Sequence, residues 1–180
     1  MVYFLTFNCY GSWLPGDERG WVEPDHGIRD PNSGLHKYCQ GNMADEPYLL
    51  DLPRANIVLT AIQEVCRFRN WDLIAAHVRT NHVHLIVDGL QEPDRAIVQF
   101  KASATRALRA KRIWARGGST RALTSRSALD QAIRYVIAQQ GESMALVAPP
   151  VKIRQQTRKQ TDRGQERAEL VHEVDAIAVG

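Results

Sequence analysis

The chain has 180 residues, 44% of them hydrophobic and 24% charged, with a net charge of +3 at pH 7. These proportions are those of an ordinary globular protein, so we expect one domain with neither a membrane span nor a signal peptide. The three cysteines, Cys9, Cys39 and Cys66, are odd in number and unclustered. This argues against a disulfide framework and favours a reducing, cytoplasmic location.

Aromatic and branched residues predict a first strand over residues 2–10. Residues 11–50 are rich in Gly, Pro, Asp and Asn, and they predict an irregular insertion. An insertion of this length in a small domain is usually functional or mobile. Its Trp13 and Trp21 either anchor it to the body of the domain, which we favour, or stack on a ligand.

The middle of the chain predicts a helix followed by two strands. Asp51 is the expected N-cap, Pro53 lies in the first turn, and the helix ends near Asn70. Strands over 71–79 and 81–88 are separated only by a tight turn, which predicts an antiparallel hairpin.

A second helix is predicted to begin at Pro93, a short strand to cover 120–123, and a third helix to run from an N-cap at Ser127 to Gly141. This order predicts an α+β fold of the ferredoxin-like or RNA-recognition-motif type, an antiparallel sheet with helices on one face. We expect that domain to cover residues 1–148. A basic, partly amphipathic tail would follow over 149–180.

The stretch 80–87 alternates in period two, so an extended strand would present its two histidines and Ile86 on one face. The opposite face would carry the apolar residues Val83, Leu85 and Val87. Two imidazoles spaced about 6–7 Å apart at Cα can hold one divalent ion. The alternative is a half-exposed strand whose histidines, His82 and His84, are incidental. If the helices cover the apolar face, the histidine face is open to a ligand.

Eight basic residues and no acidic one fall between Lys101 and Arg126. A stretch this one-sided predicts a polyanionic partner, the alternative being a basic surface that only aids solubility. Trp114, beside Gly117 and Gly118, adds a predicted stacking surface. The residues predicted to contact nucleic acid are Lys101, Arg106, Arg109, Arg112, Trp114, Arg116 and Arg121.

The third predicted helix places Tyr135 at the edge of its apolar stripe, with Gln139 one turn further on the same flank. A tyrosine at such an edge is most often a boundary residue. Its combination with the paired histidines and the basic stretch makes Tyr135 a candidate functional residue.

The set Asn81-His82-Val83-His84, followed by Tyr135 and Gln139 on a helix, resembles the single-tyrosine HUH transposases and the REP-associated tyrosine transposases. The segments Phe4–Phe7, Tyr10–Leu14 and Trp114–Thr120 are also similar to that superfamily. The resemblance covers roughly residues 2–145.

The resemblance implies that His82, His84 and Gln139 bind Mg²⁺ or Mn²⁺ and that Tyr135 is the nucleophile. The implied activity is cleavage and joining of single-stranded DNA, at ends that carry a hairpin, through a 5′-phosphotyrosine intermediate. The sequence does not choose between a monomer and a homodimer, and the protein would be associated with the nucleoid when it is bound to DNA.

The sequence departs from the pattern of the superfamily, and its insertion 11–50 is longer than a minimal family core needs. Arg79-Thr80 stands where many relatives have Met-Pro, and the Gln139-Gln140 pair leaves the register of the third ligand open by one residue. His77 could approach the metal, although a packed, hydrogen-bonded histidine is the favoured interpretation.

Two alternatives belong to other functional classes. One is a non-catalytic protein that binds single-stranded nucleic acid on the same fold. The other is a two-histidine phosphoesterase, which expects two His-x-Ser/Thr motifs. Neither His77-Val78-Arg79 nor His82-Val83-His84 fits that pattern.

Overall fold

The computed structural model describes residues 1–23, 26–138 and 144–149. Its main sheet has five antiparallel strands in the order β6-β1-β5-β4-β7, and β2 and β3 form a separate hairpin. The strands are β1 Val2–Asn8, β2 Trp21–Glu23, β3 Gly27–Arg29, β4 Asp72–Val78, β5 His82–Asp88, β6 Ser119–Leu123 and β7 Ala145–Val147. The helices are α1 Ser33–Gly41, α2 Leu52–Arg69, α3 Pro93–Leu108 and α4 Arg126–Ala138. The predicted α+β fold with an antiparallel sheet is confirmed.

Strand β5 lies at the centre of the sheet, between β1 and β4. The predicted β4–β5 hairpin is confirmed, and the Arg79 N–H closes its turn by donating to the His82 carbonyl over 2.8 Å. The two-residue alternation of β5 therefore decides what each face of the sheet presents at its middle.

Helices α2 and α3 cover one face of the sheet. The apolar residues of β5 lie in the main core there and are fully buried: Val83, Leu85 and Val87. The predicted limits of α2 are confirmed, because the Asp51 side chain accepts a hydrogen bond from the Arg54 N–H and Asn70 ends the helix in the left-handed conformation at φ 56°. A carboxylate N-cap and a left-handed asparagine are frequent helix signals.

Helix α4 lies on the opposite face, which corrects the prediction of helices on one face only. The buried Ala132 and Val136 of α4 pack against Ala75 and Ile86, the apolar residues of β4 and β5 on that face. An amphipathic helix must bury its apolar stripe, and these two residues give it a surface. The histidine face is therefore covered in part rather than open.

The predicted irregular insertion contains three regular elements, β2, β3 and α1. Each strand has only three residues, too few to show a period in the sequence. Helix α1 begins at an Asn32 N-cap that accepts from the Leu35 N–H over 2.9 Å.

Two other details differ from the predictions. The N-cap of α4 is Ser125 rather than Ser127, because the Ser125 Oγ accepts from the Ala128 N–H at 3.1 Å. Strand β7 was not predicted, since three apolar residues do not define a strand. The predicted end of α4 at Gly141 and the tail beyond Pro149 lie outside the described residues.

The described helices are too short or too polar to cross a lipid bilayer. Cys9, Cys39 and Cys66 are free thiols, and burial raises the pKa of Cys9 and of Cys66 to about 12.

Candidate active site

The paired histidines of β5 lie side by side on the face that α4 partly covers. The ring centroids of His82 and His84 are 4.6 Å apart, with the planes at 69°. The His84 side chain is buried, with 5% of its surface exposed, whereas His82 is half-buried. The period-two alternation thus places both imidazoles on one face, as predicted from the sequence.

Each ring has a polar partner at Nδ1. The His82 Nδ1 lies 2.7 Å from the Asn81 Oδ1, and the His84 Nδ1 lies 2.9 Å from the Thr6 Oγ1 on β1. An amide oxygen only accepts, so the proton of a neutral His82 ring is on Nδ1 and the ring lone pair is on Nε2. Histidines that bind metals are commonly oriented by such a second hydrogen bond.

Tyr135 on α4 belongs to the same cluster of rings. Its ring centroid lies 5.4 Å from that of His84 and 6.0 Å from that of Phe4 on β1. Phe4 also stacks on His84, at 5.4 Å and 24° between planes. Since 40% of Tyr135 is exposed, the phenol reaches solvent while its ring contacts the buried histidine.

The side chains at the site supply only part of the ligands that a divalent ion needs. Imidazole is a ligand for transition metals, and Mn²⁺ accepts nitrogen as well as oxygen. Within the described ranges, no group of three His, Cys, Asp or Glu side chains could hold a metal. His82 and His84 would therefore need a further ligand. The predicted one, Gln139, and its neighbour Gln140 lie outside the described residues.

His77 on β4 faces α4 rather than a metal. Its Nδ1–H donates to the Val136 carbonyl at 2.8 Å, and the Met144 N–H donates to its Nε2 at 3.4 Å. The ring is fully buried, and burial lowers its pKa. The favoured interpretation, a packed and hydrogen-bonded histidine, is confirmed.

A cleft of about 830 Å³ opens beside the ring cluster. Its lining residues are Phe4, Thr6, Trp13, Val22, His84, Ser119, Arg121, Gln131, Ala132, Arg134 and Tyr135. The chain therefore brings a phenol, an imidazole and two arginines to one solvent-accessible cavity.

Two of the residues predicted to contact nucleic acid are engaged within the domain. The Lys101 Nζ donates to the Ala115 carbonyl at 2.8 Å and to the Gly117 carbonyl, and burial lowers its pKa. The Trp114 Nε1–H donates to the Lys101 carbonyl at 3.1 Å, and its ring packs edge-on against Phe7. A DNA contact by either side chain stays a prediction, and the geometry favours a structural role for both.

The arginines of the basic stretch have different surroundings. Arg112 forms an ion pair with Asp45 of the insertion at 2.5 Å, whereas Arg121 lies over the Phe4 ring at 5.4 Å. Arg116 lines a second cavity, and Arg106 and Arg109 are exposed. Of the arginines in the basic stretch, Arg121 lines the cleft beside Tyr135, and the predicted DNA contacts of all these arginines stay predictions.

Several residues of the cleft were not among the predicted site residues. Phe4 and Thr6 face His84 because β1 and β5 pair with Thr6 opposite His84. The alternation of β1 shows that Phe4 and Thr6 share a face, but the register between strands cannot be read from either strand alone. Arg134 also lines the cleft, and the only sequence signal for it was its position on α4 next to Tyr135.

Comparisons with known proteins do not assign the chain to a family. No protein-family profile and no curated protein matches the sequence. Among solved structures, one match is a REP-associated tyrosine transposase bound to a REP hairpin, with 19% sequence identity and a TM-score of 0.45. The match covers 75% of this chain and 63% of that chain, so this chain spans less than two thirds of the length of the matched protein. A similarity of this degree assigns no function to the chain.

Proposed function

We propose that the protein cleaves and rejoins single-stranded DNA, with Tyr135 as the nucleophile and a divalent ion, Mg²⁺ or Mn²⁺, held by His82 and His84. The observation that carries this proposal is the ring cluster. A partly exposed phenol has its ring 5.4 Å from a buried imidazole, which in turn lies 4.6 Å from a second imidazole. The resemblance in sequence motifs implies that the DNA ends carry a hairpin.

The chemistry requires an in-line attack on one phosphodiester. The Tyr135 oxygen forms a bond to phosphorus while the bond to the 3′ oxygen breaks, and the phenolic proton passes through solvent to the departing 3′ oxygen. This step leaves a 5′-phosphotyrosine and a free 3′-hydroxyl. A second 3′-hydroxyl can then displace Tyr135, so the strand is resealed without ATP. The bound ion would polarise the phosphate and stabilise the charge that develops on it.

The remaining residues of the cluster would orient the reacting groups. Asn81 and Thr6 hold the two imidazoles through their Nδ1 atoms, and Phe4 packs against both His84 and Tyr135. Preorganised side chains of this kind lower the cost of reaching the transition state. Gln139, four residues beyond Tyr135, remains the predicted third ligand.

The covalent intermediate gives a direct test. We expect a 3′-labelled single-stranded oligonucleotide with a hairpin to form an adduct with the wild-type protein that survives denaturing electrophoresis, in the presence of Mn²⁺ but not of EDTA. Tyr135→Phe should form no adduct while its binding of the oligonucleotide stays within about twofold, because only the nucleophilic oxygen is removed. Tyr38→Phe is the matched control, since Tyr38 is 69% exposed on α1.

A second candidate function is non-catalytic binding of single-stranded nucleic acid. The burial of His84 and its stacking on Phe4 favour it, because a histidine packed in this way can serve the core alone. Protein that binds a panel of hairpin oligonucleotides without forming any metal-dependent adduct would establish this candidate over the transferase.

A further inference from the structure

The cleft beside Tyr135 continues into a second cavity of about 640 Å³. Four lining residues are common to both, namely Thr6, Trp13, Val22 and Ser119. We call the two together the groove. It extends from the His84–Tyr135 cluster, past Trp13 of the insertion, to the loop 115–119.

We propose that the groove binds the unpaired part of a single-stranded DNA substrate, with Trp13 as the platform on which a base stacks. The inference rests on the proposed function, because it specifies how the substrate of the same site is held. It also assigns a binding role to the insertion 11–50, and it places base stacking on Trp13 rather than on Trp114.

Trp13 combines exposure with a fixed position. Trp13 is 42% exposed, and its Nε1–H donates a hydrogen bond to the Gly20 carbonyl over 2.7 Å. A ring that is already held by a hydrogen bond loses little freedom when a base stacks on it. Trp114 differs, because its ring packs edge-on against the buried Phe7.

The charges along the groove favour a polyanion. Arg116, Arg121 and Arg134 line it, whereas none of the described lining residues is Asp or Glu. Aromatic platforms flanked by cationic side chains are the usual means of binding single strands without sequence preference. An acidic peptide would satisfy the arginines but would leave the indole without a matching surface.

The loop 115–119 is a fixed wall of the groove. The Lys101 Nζ holds the loop by donating hydrogen bonds to the carbonyls of Ala115 and Gly117, and Gly117 adopts φ 65°. A Cβ atom added to Gly118 would lie 2.8 Å from Ile97 Cδ1 and 2.9 Å from the Thr6 carbonyl oxygen. The chain therefore approaches β1 and α3 more closely than any side chain would allow.

Binding can be measured apart from cleavage. The full chain is titrated in EDTA against a fluorescein-labelled hairpin that has a single-stranded thymidine extension, and against the same hairpin without it. We expect Trp13→Ala to weaken binding of the extended hairpin by about 5- to 150-fold, the effect of losing one stacked base. Val22→Asp should also weaken it, because Val22 is 57% exposed and the new charge would face the phosphates. Phe68→Ala, at an 83% exposed position on α2 outside the groove, should bind as the wild type.

The outcomes separate this inference from the proposed function. If the wild type forms the covalent adduct but neither Trp13→Ala nor Val22→Asp changes binding by more than twofold, the groove assignment is wrong and the transferase stands. If both variants lose affinity for the extension but no adduct forms with metal, the groove stands and the transferase fails. Tighter binding of an RNA extension than of DNA, or no preference for the extended hairpin, would overturn single-stranded DNA as the occupant.

Discussion

Asn81 sets the chemistry of His82 through one hydrogen bond. Its amide oxygen accepts from the His82 Nδ1–H at 2.7 Å, which leaves the basic lone pair on Nε2. The backbone carbonyl of Asn81 separately accepts from the Cys9 N–H and the Ser12 Oγ–H. Replacing the side chain therefore removes the orienting bond and leaves the backbone contacts in place.

We predict that Asn81→Ala lowers the affinity for Mn²⁺ by about 10- to 100-fold, the usual effect of removing a group that orients a metal-binding histidine. The measurement is titration of Mn²⁺ followed by electron paramagnetic resonance, which detects the free ion and does not depend on activity. The melting temperature should change little, because the amide is half-buried at a turn.

Asn81→Asp provides the conservative control, since its carboxylate keeps an acceptor oxygen for His82 Nδ1–H. We expect its affinity for Mn²⁺ to equal or exceed that of the wild type. Equal affinities of the alanine and wild-type proteins would show that Asn81 has no part in orienting His82.

At the scale of elements, His77 joins β4 to α4. The buried ring donates to the last turn of α4 and accepts from Met144 just before β7, and both bonds require the neutral Nδ1–H form. Burial lowers the pKa of His77 below the usual value near 6.5. As the pH falls through 6.5, the unfolded chain therefore binds a proton at His77, whereas the folded chain does not.

It follows that His77 lowers the stability of the fold as the pH falls below about 6.5. One proton bound only by the unfolded state changes the free energy of unfolding by at most about 1.4 kcal/mol per pH unit. We predict that His77→Leu is less stable than the wild type at pH 7.5 but has a flatter dependence between pH 7 and pH 5. Urea unfolding at several pH values measures both slopes. Parallel slopes would show that His77 does not carry this dependence.

The elements with local signals were predictable from the sequence. Helix α2 has a carboxylate cap at Asp51 and ends at Asn70, and β5 shows the alternation that places its histidines on one face. The position of α4 required a tertiary argument. The signal was Ile86, an apolar residue on the histidine face that needed a covering partner. The short strands β2, β3 and β7 gave no periodic signal.

The candidate site, like the fold, was predictable where the signal is local in sequence. His82, His84 and Tyr135 were identified from their motifs, and the structure brings their rings together. Phe4 and Thr6 were missed because they reach His84 only through the pairing of β1 with β5, which is not local in sequence. The contacts of Lys101 and Trp114 within the domain could not be read from charge or residue type, because they depend on tertiary packing.

At the scale of the whole molecule, part of the basic stretch 101–126 is engaged within the domain and part of it lines the groove. Arg112 pairs with Asp45, and Arg126 pairs with Asp130 at 3.2 Å. Lys101 holds two carbonyls of the loop 115–119. Arg116 and Arg121, by contrast, line the groove. The density of positive charge in the sequence therefore overstates the number of cations that are available to a ligand.

This division leads to a prediction about salt. The logarithm of the affinity for single-stranded DNA should fall linearly with the logarithm of salt concentration, with a slope of about −0.7 for each phosphate neutralised. Arg121→Gln removes a cation from the groove and should reduce the magnitude of the slope by about 0.7. Arg112→Gln should leave the slope nearly unchanged, because a guanidinium that stays paired with Asp45 neutralises no phosphate and so displaces no counterion from the DNA. Anisotropy titrations between about 50 and 200 mM NaCl measure both slopes. Equal losses of slope in the two variants would mean that DNA displaces Asp45 from Arg112, and the path of the strand would then have to extend to the insertion near Asp45.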